Sequence, residues 1–225
     1  MKLSEEMKNK TLLSFELFPP KTEKGLQNLP GTIDHLMKYN PSYISCTYGA
    51  GGGNVGANRE VCQMIKNAGT TPVTHFTVIK NTKEGIKEQL DQYLADGVDH
   101  MLALRGDIPL GETTTCGDFD YATDLVKFVR DTYGDKFEIA VAGSPEGHIS
   151  CRSLESDIAV LKQKQDNGAD YIMTQLCWDM EQFKYWLDAI RKAGITMPVD
   201  VGVMPILDQA ATINMALSRN GCVLE

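Results

Sequence analysis

No stretch of the sequence approaches the roughly 18 consecutive apolar residues of a membrane-spanning helix, so no membrane partner is expected. The opening MKLSEEMKNKTLL carries charges but no apolar core of a secretory leader, and no signal peptide is expected either. Cysteine is sparse. The six, Cys46, Cys62, Cys116, Cys151, Cys177 and Cys222, form no C-x-x-C and accompany no histidines at zinc-finger spacing. That argues against a disulfide framework and a cysteine metal site, and points to a reducing cytoplasm. Positive charge is also short: 22 Lys and Arg face 30 Asp and Glu, a formal net charge of −8. An anionic main partner, nucleic acid above all, is disfavoured, although a local cationic pocket for a small anion is not. There is no G-x-G-x-x-G and no Walker Gly-Lys-Ser/Thr, so a dinucleotide held in the Rossmann manner has no support.

What is present is a rhythm. Short runs rich in β-branched and aromatic residues recur: LLSFELF (12–18), SYISCTYG (42–49), PVTHFTVI (72–79), HMLALRG (100–106), FEIAVAG (137–143), YIMTQLC (171–177) and MPVDVGVMP (197–205). Helical periodicity fills the gaps. In TKEGIKEQLDQYLADG, Ile86, Leu90, Tyr93 and Leu94 share one face. The segment 153–169 opens on Ser153 or Ser156 as cap and closes on Gly168; 181–194 closes on Gly194, and a last helix is expected over 208–221. Seven strands alternating with helices predict βα units and a parallel sheet.

A (β/α)8 barrel and an open doubly wound sheet compete for that pattern. Glu16, Thr47, His75, Arg105, Asp107, Ser144, Glu146, His148 and Gln175 lie at or just past the carboxyl ends of different strands. A barrel gathers those ends around one mouth, whereas an open sheet spreads them along a rim, so the barrel is favoured. Its eighth strand is missing from the pattern. The 225 residues are expected to form one C-terminally short barrel domain.

Several motifs admit two readings. Glu16 interrupts the apolar SFELFPP, where an unpaired buried carboxylate would be costly. In ALRGD (103–107), Arg105 and Asp107 suit an anion and a heterocycle, or a salt-bridged strand end. The glycine-rich YGAGGGN (48–54) could cradle phosphate or simply connect. His75 is a ligand contact or a hydrogen-bonded core residue. Glu146 and His148 offer a metal pair with no evident third ligand. Gln175 could donate and accept toward a heterocycle edge or be a satisfied structural amide. Lys164, on a helix with Lys162 and Asp157, could reach a phosphate or belong to a solvated face.

Taken together, FELFPPKT, SCTYGAGG, THFT, LALRGDIP, YATDLV, PEGH, the Asp157–Lys164 spacing, GADYIMTQLCWD and VGVMPI follow an order that resembles methylenetetrahydrofolate reductases, from about residue 12 to 222. The resemblance implies a barrel flavoenzyme. FAD would take hydride from NADH or NADPH and pass it, ping-pong fashion, to 5,10-methylenetetrahydrofolate, giving 5-methyltetrahydrofolate for methionine biosynthesis. By this resemblance Glu16 is the proton donor. Tyr48, Ala50, His75, Arg105, Gly106, Asp107, Tyr121, Ala122, His148, Asp157 and Lys164 match flavin contacts. Thr47 matches a nicotinamide-side contact, and Asp107 and Gln175 match folate contacts, with Asp107 also tuning the flavin. Three features depart from the family pattern: Ser144 replaces a frequent tyrosine, Leu176 a frequent aromatic, and the closing segment is absent. A homo-oligomer or a partner subunit is expected; the alternative function is a catalytically incomplete or partner-dependent flavin- or folate-binding barrel subunit. A metal or Schiff-base barrel lyase ranks last, because no lysine falls within a predicted strand.

Overall fold

The structure is a computed structural model and describes residues 2–20, 22–48, 55–108 and 111–217. A short helix, α1 (Leu3–Met7), precedes β1 (Ser14–Leu17), α2 (Glu23–Met37), β2 (Tyr43–Cys46), α3 (Val55–Asn67), β3 (Thr71–Thr77), α4 (Lys83–Ala95) and β4 (His100–Leu104). The alternation continues with α5 (Ala122–Tyr133), β5 (Glu138–Gly143), α6 (Leu154–Asp166), β6 (Tyr171–Thr174), α7 (Met180–Lys192), β7 (Val199–Asp200) and α8 (Gln209–Leu217). No helix among the described residues is long and apolar enough to cross a membrane.

The seven strands pair in chain order, β1 to β7, and every pairing is parallel. That order has no reversal point. Crossovers of one hand therefore put the helices on a single face, and the other face is covered only if the sheet curls on itself. It does curl. Ser14 Oγ of β1 lies 3.3 Å from Asp200 Oδ2 of β7, and the Tyr43 hydroxyl donates to the same carboxylate. In a flat sheet at about 4.8 Å per strand the two edges would be roughly 29 Å apart. This is the wall of a (β/α)8 barrel with seven strands in place.

Strand alternation divides the core in two. Ile44, Phe76, Met101, Ile139 and Ile172 point outward and pack against the helical layer, including Leu90, Val126 and Trp186. Tyr43, Val73, Leu102, Ala140 and Tyr171 point inward and form a second cluster with Leu3 of α1. Both faces are buried, which is why the strands read as nearly continuous apolar runs.

Helix α1 seals the amino end of the barrel. The Glu138 carboxylate accepts the Leu3 and Ser4 backbone N–H groups at 2.7 and 2.8 Å, and also the Ser4 hydroxyl. His100 Nε2 stands 2.9 Å from the same carboxylate. The open end is therefore the carboxyl end of the strands.

Every expected strand is present, although β1, β2 and β6 are shorter than the runs 12–18, 42–49 and 171–177, and α1 was not foreseen. Ser153, rather than Ser156, caps α6 by accepting the Ser156 N–H at 3.2 Å. Strand β7 is much shorter than 197–205, because the Gly202 N–H turns to the Thr174 hydroxyl at 2.9 Å instead of continuing the ladder. The expected 208–221 helix is seen as α8 through Leu217, and its remainder lies outside the described residues.

Candidate active site

In-register parallel pairing sets the carboxyl ends of neighbouring strands side by side, with Glu16 opposite Ser45 and His75 opposite Leu102. Glu16 and His75 meet across the strand between them: Oε2 lies 3.4 Å from Nε2. The Glu16 side chain is 45% exposed, on the open side of the barrel, and that of His75 only 9%. Burial lifts the Glu16 carboxyl above the usual carboxylate range and pushes His75 down to about 4, so the imidazole is neutral at pH 7. His75 Nε2 is buried and makes no hydrogen bond among the described residues.

The exit of β2 is held by a residue the sequence reading passed over. Asn58 of α3 is fully buried; its amide nitrogen donates to the Cys46 and Thr47 carbonyls at 3.0 and 3.1 Å. Its oxygen accepts the Thr74 hydroxyl at 2.8 Å and the Tyr93 hydroxyl at 2.7 Å. One amide thus ties two helices to the end of β2 and the middle of β3. The signal for it was a polar residue in phase with Val61, Cys62 and Ile65 on an otherwise apolar helix face. Thr47 follows directly, its N–H bonded to the Leu17 carbonyl at 2.9 Å. Tyr48 turns its side chain away: the hydroxyl donates to Gln89 of α4 at 2.8 Å and the ring sits 5.7 Å from Phe76. Any contact from Tyr48 toward the mouth would come from its main chain. Ala50 and the rest of the loop from Gly49 to Asn54 lie outside the described residues.

Beyond β4, Arg105 is half-buried and Asp107 exposed. Gly106 between them has φ +87°, and a Cβ there would stand 3.1 Å from the Thr77 and Ile79 Cβ atoms. Only glycine fits this turn without strain. Tyr121, 62% exposed, and Ala122 lie at the start of α5, where the Tyr121 N–H donates to Asp124 Oδ2 at 2.9 Å.

His148, Asp157, Lys164 and Arg105 form one electrostatic group. The His148 backbone N–H donates to Asp157 Oδ2 at 3.2 Å, and the Lys164 ammonium donates to the Ala142 carbonyl at 3.0 Å. Burial lowers the Lys164 pKa, with Asp157 opposing. Burial likewise depresses His148, which Asp157 counters and the charges of Arg105 and Lys164 reinforce. A buried ammonium bonded to a neutral carbonyl, with the Arg105 charge also felt at neighbouring His148, suits an anion such as a phosphate. Gln175 is half-buried at the end of β6; its side-chain oxygen accepts the Leu176 N–H at 2.9 Å, and its backbone N–H donates to Gly143 at 2.8 Å. Asp200 was the second residue missed, a lone carboxylate in a valine-rich strand just as Glu16 is in its own.

The sequence matches the family profile described as methylenetetrahydrofolate reductase over residues 2–219. The chain belongs to the methylenetetrahydrofolate reductase family. It is 38% identical over 219 residues to methylenetetrahydrofolate reductase (NADH) 1 of Arabidopsis thaliana, an alignment covering 92% of this chain and 37% of that protein. It is 34% identical over 202 residues to the 5,10-methylenetetrahydrofolate reductase of Escherichia coli, covering 89% and 67%. The chain thus spans little more than a third of the length of the plant reductase. Among solved structures, an uncharacterized protein from Clostridium thermocellum that binds two copies of 5-methyl-5,6,7,8-tetrahydrofolic acid superposes with a TM-score of 0.73 at 13% identity. That match covers all of this chain and 77% of the other. Phosphoenolpyruvate phosphomutase from Streptomyces platensis subsp. rosaceus matches at 0.62 with 11% identity, covering 95% and 76%; both likenesses concern the fold alone. Within the reductase family, then, this chain supplies a seven-stranded barrel wall with an acid in its mouth.

Proposed function

We propose that the chain is the catalytic barrel of a flavin-dependent methylenetetrahydrofolate reductase, a single domain over residues 1–225 acting in the cytoplasm. The observation that carries the reading is Glu16: a carboxyl group at the carboxyl end of β1, lifted by burial, facing a neutral imidazole in the open end of the barrel. FAD, when bound, would supply the capacity to accept hydride from a reduced nicotinamide and release it to the folate. The residues present fit such a group, since Lys164, Arg105 and His148 offer cationic and donor groups for its diphosphate. The main chain around Tyr48 and Gly106 and the N-terminus of α5 at Tyr121–Ala122 line the rest of its expected site. The name of the plant relative favours NADH as reductant over NADPH, with Thr47 on the nicotinamide side.

The chain's own chemistry is proton delivery and orientation. The methylene bridge of the folate must open to a cationic iminium before it accepts hydride, and opening requires a proton on the departing nitrogen. Glu16, held toward its neutral form, donates that proton. Gln175 and Asp107 orient the pterin through hydrogen bonds to its edge, and the Asp107 charge favours the cationic iminium.

The deciding experiment is an absorbance spectrum of the purified chain with added FAD, then anaerobic titration with NADH or NADPH and with methylenetetrahydrofolate. Bleaching by the nicotinamide and recovery with the folate are expected. A chain that takes up no flavin, or whose reduced flavin ignores the folate, overturns the reading. A specific observation favours a second one, an assembly of copies or a partner-dependent subunit. Phe18 beside β1 is 72% exposed, and Val203 and Leu207 beyond β7 are 80% and 90% exposed, at the two edges that no eighth strand joins among the described residues. Full turnover by the isolated monomer would exclude it.

A further inference from the structure

We propose that His75 is the positioning residue for Glu16: its Nε2 lone pair accepts the hydrogen of the Glu16 carboxylic acid and so holds the acid in its proton-donating form. This rests on the reading of Glu16 as the general acid, but it concerns two side chains of the folded protein. The 3.4 Å separation of Oε2 and Nε2 is the first observation. The second is that Nε2 is buried and otherwise without a hydrogen-bond partner among the described residues, a state that is costly unless something completes it. Ser45, in register with Glu16 and itself buried, is the small residue on the strand between them; its short side chain leaves the gap they meet across.

The other groups around Glu16 cannot do this work. From β2, burial and then the Asp200 carboxylate push the Tyr43 hydroxyl well above its ordinary range, and the Cys62 thiol and then burial do the same for the Cys46 thiol, so both stay protonated and uncharged. From β7, the Asp200 carboxylate is already occupied by the Tyr43 and Ser14 hydroxyls. Past β4, Asp107 and Arg105 lie in the exit turn, and among the described residues no lysine or arginine forms an ion pair with Glu16. In its protonated form Glu16 has one hydrogen to place, and the neutral imidazole in its Nδ1–H tautomer has one lone pair to fill at Nε2. Burial disfavours the imidazolium, so the proton stays on oxygen. A hydrogen bond from the neutral acid favours that form and raises its pKa.

The test is the titration of Glu16 in the purified chain, with and without added FAD. It is followed by NMR of isotope-labelled glutamate carboxyl carbons, the Glu16 signal being assigned by its loss in Glu16→Gln. His75→Gln keeps an acceptor at the reach of Nε2, whereas His75→Asn is polar but stops short of it. The expected result is a Glu16 titration in His75→Gln close to that of the unaltered chain, and in His75→Asn lower by about one pH unit, tenfold in the proton equilibrium. A Glu16 titration unmoved or raised in His75→Asn overturns the inference, as does a fall in His75→Gln equal to that in His75→Asn. A purely structural role for His75 would not separate the two variants. Failure of the enzymatic reading is distinguishable: it is an unaltered chain that binds no flavin or reduces no folate, whatever its glutamate titrations show.

Discussion

The Ser14 hydroxyl of the first strand lies 3.3 Å from Asp200 Oδ2 of the seventh, so the two edges of the sheet meet through one carboxylate that also accepts the Tyr43 hydroxyl. Asp200 therefore helps hold the curl of the barrel and, through Tyr43, the strand beside Glu16. Asp200→Ala leaves two hydroxyl donors without their acceptor and is expected to cost about 1–3 kcal/mol. Urea unfolding measures it, and an unchanged midpoint would show that the contact does not hold the edges.

Asn58→Ala should be more damaging, by roughly 2–4 kcal/mol, because two strand-end carbonyls and two buried hydroxyls lose their partner at once. Thermal unfolding checks the magnitude. Asn58→Asp is expected to be at least as harmful, since a carboxylate cannot donate to the Cys46 and Thr47 carbonyls.

The seal at the amino end predicts a bell-shaped pH dependence of stability. Burial disfavours the His100 imidazolium, but Asp99 and Glu138 outweigh it and lift its pKa from 6.5 to about 9. That contribution is complete below pH 6.5 and lost as the pH rises through 9. Burial alone would raise Glu138, yet His100, Ser4 and the Leu3 N–H together bring it from 4.5 to about 2. Its contribution is complete above pH 4.5 and lost as the pH falls through 2. Denaturation across pH should show both limbs, and Glu138→Gln should remove the acid limb and shrink the alkaline one, which Asp99 still supports. An acid limb that survives in Glu138→Gln would have to come from other groups.

Glu16→Gln is expected to bind flavin and allow its reduction by the nicotinamide at the usual rate. Folate reduction should fall by about 10²–10⁴-fold, the range of a positioned acid. Stopped-flow measurement of the two half-reactions separates these steps; a normal folate half-reaction in this variant would remove Glu16 from the acid role.

Lys164→Met should weaken FAD about tenfold or more while leaving riboflavin, which has no phosphate, little affected. Fluorescence titration with the two flavins reads the difference. Equal losses for both would place the ammonium away from the diphosphate.

Much of this protein could be read along the chain. The apolar runs around SFEL and YISC and the face of Ile86, Leu90 and Tyr93 are local features, and local geometry realised them as β1, β2 and α4. The same logic placed Glu16, Thr47, Arg105 and Gln175 at strand ends, because parallel strands joined by helices must all point one way. What escaped was whatever depends on a distant partner. Asn58 and Asp200 drew no notice in the sequence, because four elements close around the one and two sheet edges meet at the other only in the folded chain. Tyr48 looked like a site aromatic, but its neighbour in α4 turned it outward.

The alternation of strands and helices from β1 onward, the parallel sheet and the identities of the polar residues at its open end were thus legible in the sequence alone, since each follows from repeat period and chain direction. Helix α1, which seals the other end, was not. Which of those residues touch was settled by the curl and register of the folded sheet. Glu16 and His75 stand two strands apart, and the small Ser45 between them lets the acid face a buried imidazole. The burial that shifts Glu16 upward and His75 downward exists only once the barrel wall has closed around them.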